Sequence, residues 1–588
     1  MSTGTFVTAA MRLVPVKFSG TRSGSGPVTL GQRNVLLWSV DQAVYGAVQC
    51  QALNVAPGRS LDDATRAIGA LVSRHESLRT LFAAGASGEW AQQVMASGEL
   101  LVEVHEADGR LDATEALVKQ RLSAPFALDR EWPVRAAVIT SGGAPARVLL
   151  ALTHVAADFS SLGIIARDFR RLMSSTGRAP GPPALHPLDQ ARLEMSPMAR
   201  SRAEAAVRYW ETTLRGTPQC MLAVPEHPPA NSGSRMATLR SRAAALALAR
   251  IANRAHASQS VVILAAVATL LGLRTVNDRC LITALCANRF AGASRDYVGT
   301  IAQDALIAAD LTAETFDGII QATRTAALTA YYHSQYDAAS LWQMIGRVSD
   351  DRGTEFHRDC VLNDLNGAAA QVQPGHPGSL PEKGDAANAM RDTRLVWADT
   401  DPRPLLFYFE VLSLTRHDVS LSVWADQGRF PAAEVEDFLF AVERLLVAAE
   451  RRNVPARDIG ELAGISPVLR DASWRRIDSC WVEMPAVQQI LDDVVASVPG
   501  IDAAQVFCTR DAASTRTAES LVACVSASGN QITPQILHAQ CRQRLAGRPT
   551  AMAPAWYVIC DQAPDDLARL ESWRHLPIRV EGSGRADQ

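Results

Sequence analysis

The sequence predicts a mixed α/β chain: an α+β sandwich followed by a small separate α+β unit at the C-terminal end. Three observations predict it. The chain has 588 residues, too many for one ordinary hydrophobic core, so two to four folded units are expected. Strand-like and helix-like hydrophobic periods alternate along most of it. A Pro/Gly-rich crossing, GRAPGPPALHP, interrupts that alternation between Gly177 and Pro187.

In chain order, residues 1–27 read as an arm, with RLVPVKFSG a short strand and TRSGSGP a flexible linker. Residues 28–183 form the first unit. Its helices are LDDATRAIGALVSRH and ATEALVKQRL, and its strands VYGAVQCQALNV, PVRAAVIT and RVLLALTH. Residues 184–460 form the second. SRAEAAVRYWETTL is a helix there, and ALALARIANRAHASQSVVILAAVATLLGLR is two consecutive helices, with Ser258 capping the second. RCLITALC is a buried strand, and HDVSLSVWAD an alternating one. Gly367 to Ala386 is an exposed Gly/Pro-rich loop. PAAEVEDFLFAVERLLVAAERR is an amphipathic helix, acidic early and with arginines at its end, which suits the helix dipole. Residues 474–588 form the last unit, with helices AVQQILDDVVASV and TPQILHAQCRQRLA and strands AQVFCTRD and SLVACVSA. Thr533 and Pro534 mark the start of its second helix.

Composition narrows the function. Apolar residues make up 47% and charged residues 20%, a globular balance. A net charge of -3 shows no basic surplus for nucleic acid. No apolar run reaches a membrane span, and no secretory leader is visible, so the expected location is the cytoplasm. There the ten cysteines, with no C-x-x-C pair, are expected to be reduced and mostly buried, and no metal site is expected.

The chemistry concentrates in LLALTHVAADFSSLGIIARDF, Leu149 to Phe169. An apolar strand runs into an amphipathic helix, with His154 and Asp158 on the turn between them. Such turns expose reactive groups from a rigid frame. A lone histidine at a strand end is more often structural, so the pair carries weight only with its context. There is no G-x-S-x-G elbow, H-E-x-x-H, P-loop or G-x-G-x-x-G.

THVAADF resembles the HHxxxDG core motif of the condensation domains of nonribosomal peptide synthetases, a family of the chloramphenicol acetyltransferase-like superfamily. Other stretches agree in order and spacing. LGQRNVLLW resembles the opening S-x-x-Q-x-R-L-W motif, and RHESLRTLF is close to the family's RHExLRTxF. APFALDREWPVRAAVI, VRYWETTL, ALCANRF and YVGTIAQDALI resemble further family segments. The similarity runs from about Val28 to Ala449. It implies two chloramphenicol acetyltransferase-like subdomains in a V-shaped pair, with a tunnel between them.

The resemblance also implies roles. The family's functional second histidine is His154, expected to be catalytic. Asp158 is expected to be structural and to pair with Arg289 of CANRF. Asn363 of VLNDL matches a polar residue facing the channel. Three positions depart from the pattern: Thr153 replaces the first histidine, Phe159 the glycine after the aspartate, and Gln303 the asparagine of V-G-x-x-x-N. Thr153 and Phe159 are therefore further tunnel-lining candidates. A phenyl ring at 159 either narrows the acceptor side or changes which acceptor fits.

The implied reaction is transfer of an acyl group from a carrier-protein thioester to an amine or hydroxyl acceptor by a free-standing enzyme of a natural-product pathway. No cofactor is bound permanently, and the phosphopantetheine arm of the carrier presents the substrate. No carrier domain with a G-G-x-S-like serine follows Ile459, so carriers are expected in trans. The last unit, Trp481 to Pro564, resembles the small C-terminal subdomain of adenylation enzymes. It lacks that family's T-x-x-G-K lysine, since no lysine follows Lys383. It is either a remnant packed on the catalytic domain or a docking module. Two other functions stay open: an acyl-CoA-dependent acyltransferase, and a catalytically silent recruitment domain.

Overall fold

The computed structural model describes residues 11–41, 48–85, 88–174, 181, 183, 185–226, 234–290, 292–366, 385–403, 405–509, 519–528 and 531–585. Most of the 177–187 crossing and residues 367–384 of the expected loop lie outside them.

The first sheet has five strands, in the order Arg12–Ser19, Ser97–Glu106, Val134–Ser141, Ala144–Thr153, Val48–Asn54. Helices Leu61–Arg74 and Phe159–Leu172 cover one face around Ile68, Val138, Leu150 and Phe169. Helix Leu111–Leu122 covers the other, around Val118, Ile139 and Leu149. Coverage on both faces explains why PVRAAVIT and RVLLALTH read as near-continuous apolar runs.

The expected arm belongs to this half of the fold. Arg12–Ser19 is the edge strand of the sheet, antiparallel to Ser97–Glu106. Gly24–Pro27, inside the expected linker TRSGSGP, is also a strand, paired with Trp90–Val94 in a three-stranded sheet completed by Thr80–Ala84. Its partner lies more than sixty residues away, so its local composition signals only turn chemistry.

The second sheet has seven strands, in the order Gln303–Asp310, Arg279–Cys286, Cys360–Asp364, Phe407–Leu414, Val419–Ala425, Arg235–Ser241, Arg394–Asp399. Helices Arg242–Arg254, Gln259–Thr275, Phe316–Tyr332 and Ala432–Ala449 bury one face in the largest core of the molecule. Ser258 caps the second of these by accepting from Val261 N. Val419–Ala425 alternates in sequence yet is buried at every position, because small cluster side chains cover its other face too. Ala432–Ala449 ends before Arg451 and Arg452, so Glu434 sits in its first turn but no cation lies in its last. Arg451 instead lies 3.8 Å from both Glu450 and Asp385.

The C-terminal unit has a hairpin, Trp474–Ile477 with Cys480–Glu483, and a four-stranded sheet of Ile501–Thr509, Ser520–Ala527, Trp556–Cys560 and Ile578–Gly582. Helices Met484–Ser497 and Pro534–Gln543 pack on that sheet, the latter capped by Thr533 with Pro534 at its first turn. The unit is anchored through helix Ala338–Arg352 of the preceding half. Arg352 Nε lies 2.7 Å from Asp478 Oδ2, and Arg542 Nε lies 2.9 Å from Asp350 Oδ1. Trp474 is buried in the core of the seven-stranded half. None of the ten cysteines is in a disulfide, and eight of them are buried.

Candidate active site

The Ala144–Thr153 strand ends in a tight turn. The Thr153 carbonyl accepts from Ala156 N at 3.0 Å and Ala157 N at 3.2 Å. Val155, Ala156 and Ala157 are buried, and small side chains let the turn press against the core. His154 stands at its start and Asp158 at its end.

Asp158 is the N-cap of helix Phe159–Leu172, its carboxylate accepting from Ser161 N at 2.9 Å. A capping carboxylate satisfies an otherwise orphaned N–H and suits the positive helix terminus. The same Oδ1 accepts from Ser161 Oγ at 2.8 Å and from Arg289 Nη2 at 2.6 Å. Arg289 is itself held: Nη1 donates to the Ser294 and Tyr297 carbonyls at 2.9 and 2.7 Å. Asp158 and Arg289 are 1% and 5% exposed, so the pair is a desolvated brace between the two halves. Asn288 aims that arginine. Its backbone is left-handed at φ 54°, which asparagine tolerates better than most residues. Its side-chain amide donates to the Ile301 and Ser334 carbonyls.

His154 is tied across the same seam, its carbonyl accepting from the Thr300 hydroxyl. Its ring is largely enclosed. Burial pushes the imidazole below the ordinary histidine range, outweighing its own main-chain carbonyl and the Asp158 charge, which both pull upward. The ring is therefore neutral at neutral pH. Nδ1 is buried and has no hydrogen-bond partner among the described residues. A proton on Nδ1 would leave the lone pair on Nε2.

Thr153 is buried at the end of its strand, opposite Val48. Phe159 is the first helical residue after the cap and is 49% exposed. A helical backbone there requires no glycine, so the replacement costs no strain and changes only what projects from the surface. Gln303 is buried, with Nε2 donating to the Tyr336 carbonyl at 2.9 Å. Asn363 does not join the hydrogen-bonded set around Asp158: its amide donates to Tyr408 Oη at 2.9 Å and Glu410 Oε1 at 3.1 Å. The fold thus brings Thr153, His154, Asp158, Phe159 and Arg289 together and holds Asn363 in a separate cluster.

Sequence reasoning passed over Ser161, Asn288, Thr300 and Gly31. Ser161 had a signal, standing three residues after the capping aspartate. Gly31 had none: it lies against the Thr300–Ile301 backbone, across the seam. Nearby, a cleft of about 570 Å³ opens beside Leu30, Arg33, Glu194, Val207 and Asp337, and His154 does not line it. Among the described residues no group of His, Cys, Asp and Glu could hold a metal ion, and no single helix is long and apolar enough to cross a membrane.

Residues 29–366, over half of the chain, match the family model for the condensation domain. The chain belongs to the condensation domain family. A probable nonribosomal peptide synthetase of Salinispora arenicola is 29% identical to this condensation domain protein over 334 residues, covering 52% of this chain and 4% of that one. Bacitracin synthase 2 of Bacillus licheniformis is 23% identical over 377 residues, 61% of this chain and 14% of that one. The chain therefore spans only a small part of these relatives. Among solved structures, the X-domain from teicoplanin biosynthesis superposes with a TM-score of 0.57 at 18% identity, covering 77% of this chain and 99% of that one. The condensation domain for chain release from the enacyloxin polyketide synthase gives 0.54 at 18% identity, covering 74% and 85%. These likenesses show that the two sandwich halves have the chloramphenicol acetyltransferase-like fold of condensation domains.

Proposed function

We propose that this chain is a condensing acyltransferase of a natural-product pathway. It moves an acyl group from the phosphopantetheine thioester of a carrier protein, supplied in trans, to an amine or hydroxyl acceptor. The observation that carries this reading is the placement of His154, held by the seam at a turn whose far end is braced by Asp158 and Arg289. The acceptor nitrogen or oxygen attacks the thioester carbonyl, and the new bond forms as its proton passes to His154 Nε2. The tetrahedral intermediate then expels the pantetheine thiolate, which takes that proton back. Most of the remaining acceleration comes from holding both partners in line. The C-terminal unit, which resembles an adenylation subdomain without its lysine, acts as a fixed buttress on helix Ala338–Arg352.

Intact mass spectrometry of an acyl-loaded carrier with candidate acceptors tests this. Wild type is expected to lose the acyl group to product, and His154→Ala to retain it with its fold unchanged. Turnover with acyl-CoA but not with loaded carrier would replace the donor class. A second reading, a silent recruitment domain, is favoured by Thr153 in place of the first histidine and by the likeness to the teicoplanin X-domain, which has been solved in complex with OxyB. A stable complex with carrier and no transfer by wild type would establish it.

A further inference from the structure

Two buried hydroxyls grip the turn that carries His154, one from each half of the fold. The Thr300 hydroxyl donates to the His154 carbonyl, and the Ser77 hydroxyl to the Ala156 carbonyl. Both side chains are fully buried. Ser77 lies in the short helical turn Glu76–Arg79, which follows helix Leu61–Arg74 of the first half. Thr300 precedes strand Gln303–Asp310 of the second. The residues on either side of Thr300 are themselves held: Gly299 N donates to Ser161 Oγ at 3.1 Å, and Ile301 N to Asp158 Oδ2 at 3.4 Å. The Thr300 carbonyl accepts from Thr29 Oγ1 at 3.3 Å. Three consecutive residues of the second half therefore meet Ser161, His154 and Asp158 of the first.

A carbonyl lies in the plane of the peptide bond that follows it, so fixing the oxygen fixes the plane. Holding the His154 and Ala156 carbonyls thus sets the backbone on both sides of Val155, and with it the direction in which the His154 side chain leaves the turn. The Asp158–Arg289 pair fixes the far end of that turn. The two hydroxyls fix its start and its middle. In so buried a place a lost donor leaves the carbonyl it served unpaired, and the turn rearranges to satisfy it. Both residues stand where the family motifs leave the position open, Ser77 at the x of RHExLRTxF and Thr300 at the first x of V-G-x-x-x-N. The clamp is therefore a property of this chain and does not follow from membership of the family.

We infer that Ser77 and Thr300 are positioning residues, whose hydroxyls clamp the turn from opposite halves of the fold and hold the His154 ring in a single orientation. For its kinetic consequence the inference rests on the condensing function proposed above. It is tested on the full chain by NMR of isotope-labelled histidine, with the His154 ring signal assigned as the one that His154→Ala removes. Wild type is expected to give one sharp His154 signal. Thr300→Val, which keeps the side-chain shape and removes the hydroxyl, should displace or split it, and so should Ser77→Ala. Thr300→Ser should restore it. In transfer from a loaded carrier, Thr300→Val and Ser77→Ala should lower kcat about tenfold or more with the KM for carrier unchanged, and Thr300→Ser should stay close to wild type. Should Thr300→Val fail to fold, Ser77→Ala decides alone. A His154 signal unmoved in folded Thr300→Val or in Ser77→Ala, a Thr300→Ser chain disturbed as much as Thr300→Val, or a kinetic loss confined to KM overturns the inference. Signals that move as expected, in a protein whose wild type makes no product from any loaded carrier, overturn the condensing reading alone.

Discussion

Arg289 Nη2 lies 2.6 Å from Asp158 Oδ1, joining the turn that carries His154 to a loop of the opposite half of the fold. Both groups are almost completely buried. Removing one partner strands the other charge in the interior, so Asp158→Ala or Arg289→Ala should each cost about 3–5 kcal/mol in urea unfolding. The double variant should cost clearly less than the sum. Losses below about 1 kcal/mol in both single variants would show that the pair braces nothing.

Burial holds the His154 imidazole below its ordinary value of 6.5. The neutral, proton-accepting form then persists below pH 6.5, and the acid limb of transfer should fall there as the ring charges. The pH profile of single-turnover acyl transfer measures this. An acid limb centred at or above 6.5 would contradict the burial argument.

Two helical glycines should respond with opposite signs. A Cβ on Gly31 would stand 2.7 Å from Ile301 Cα and closer still to the Thr300 carbonyl oxygen, both backbone atoms. The usual helix gain of about 0.5–1 kcal/mol for Gly→Ala is then outweighed by a clash of about 1–3 kcal/mol. Gly163, in helix Phe159–Leu172, meets nothing within 4 Å. Gly163→Ala should raise the melting temperature and Gly31→Ala lower it. Because Thr300 also holds the His154 carbonyl, Gly31→Ala should slow transfer as well.

Glu194 accepts from Leu30 N and from Gln190 Nε2, both at 2.7 Å, at the start of helix Leu30–Asp41, which carries Gly31. Burial pushes its carboxyl up to about 7 from an ordinary 4.5. The fold therefore favours the protonated form: that stability is present below pH 4.5 and is lost as pH rises through 7. Relative to wild type, Glu194→Gln should gain about 2–3 kcal/mol between pH 5 and pH 8.5, read from urea midpoints. A pH-independent difference would refute the shift.

Much of the architecture was legible because it is written in local periods and caps. The two helices around Ser258 and the Thr533–Pro534 start follow from spacing and capping chemistry, and they stand in the structure as read. The Gly24–Pro27 strand was not legible, since its pairing is decided by Trp90–Val94 and its composition speaks only of turns. The amphipathic helix ends at Ala449 rather than under Arg451 and Arg452, and Arg451 lies 3.8 Å from Asp385, a partner far away in the chain.

The site divides the same way. From sequence came a histidine and an aspartate on a strand-to-helix turn, and the family likeness that named Arg289 and Asn363 beside them. Sequence by itself determined which residue types stand at that turn and which elements flank it, because period, capping and turn chemistry act over a few residues. Only the tertiary structure decided that Arg289 meets Asp158, that Gly31 lies against Thr300, that Asn363 turns to Glu410, and that His154 is neutral. Those properties depend on distance, pleat and desolvation, which exist only once residues far apart in the chain share an interior.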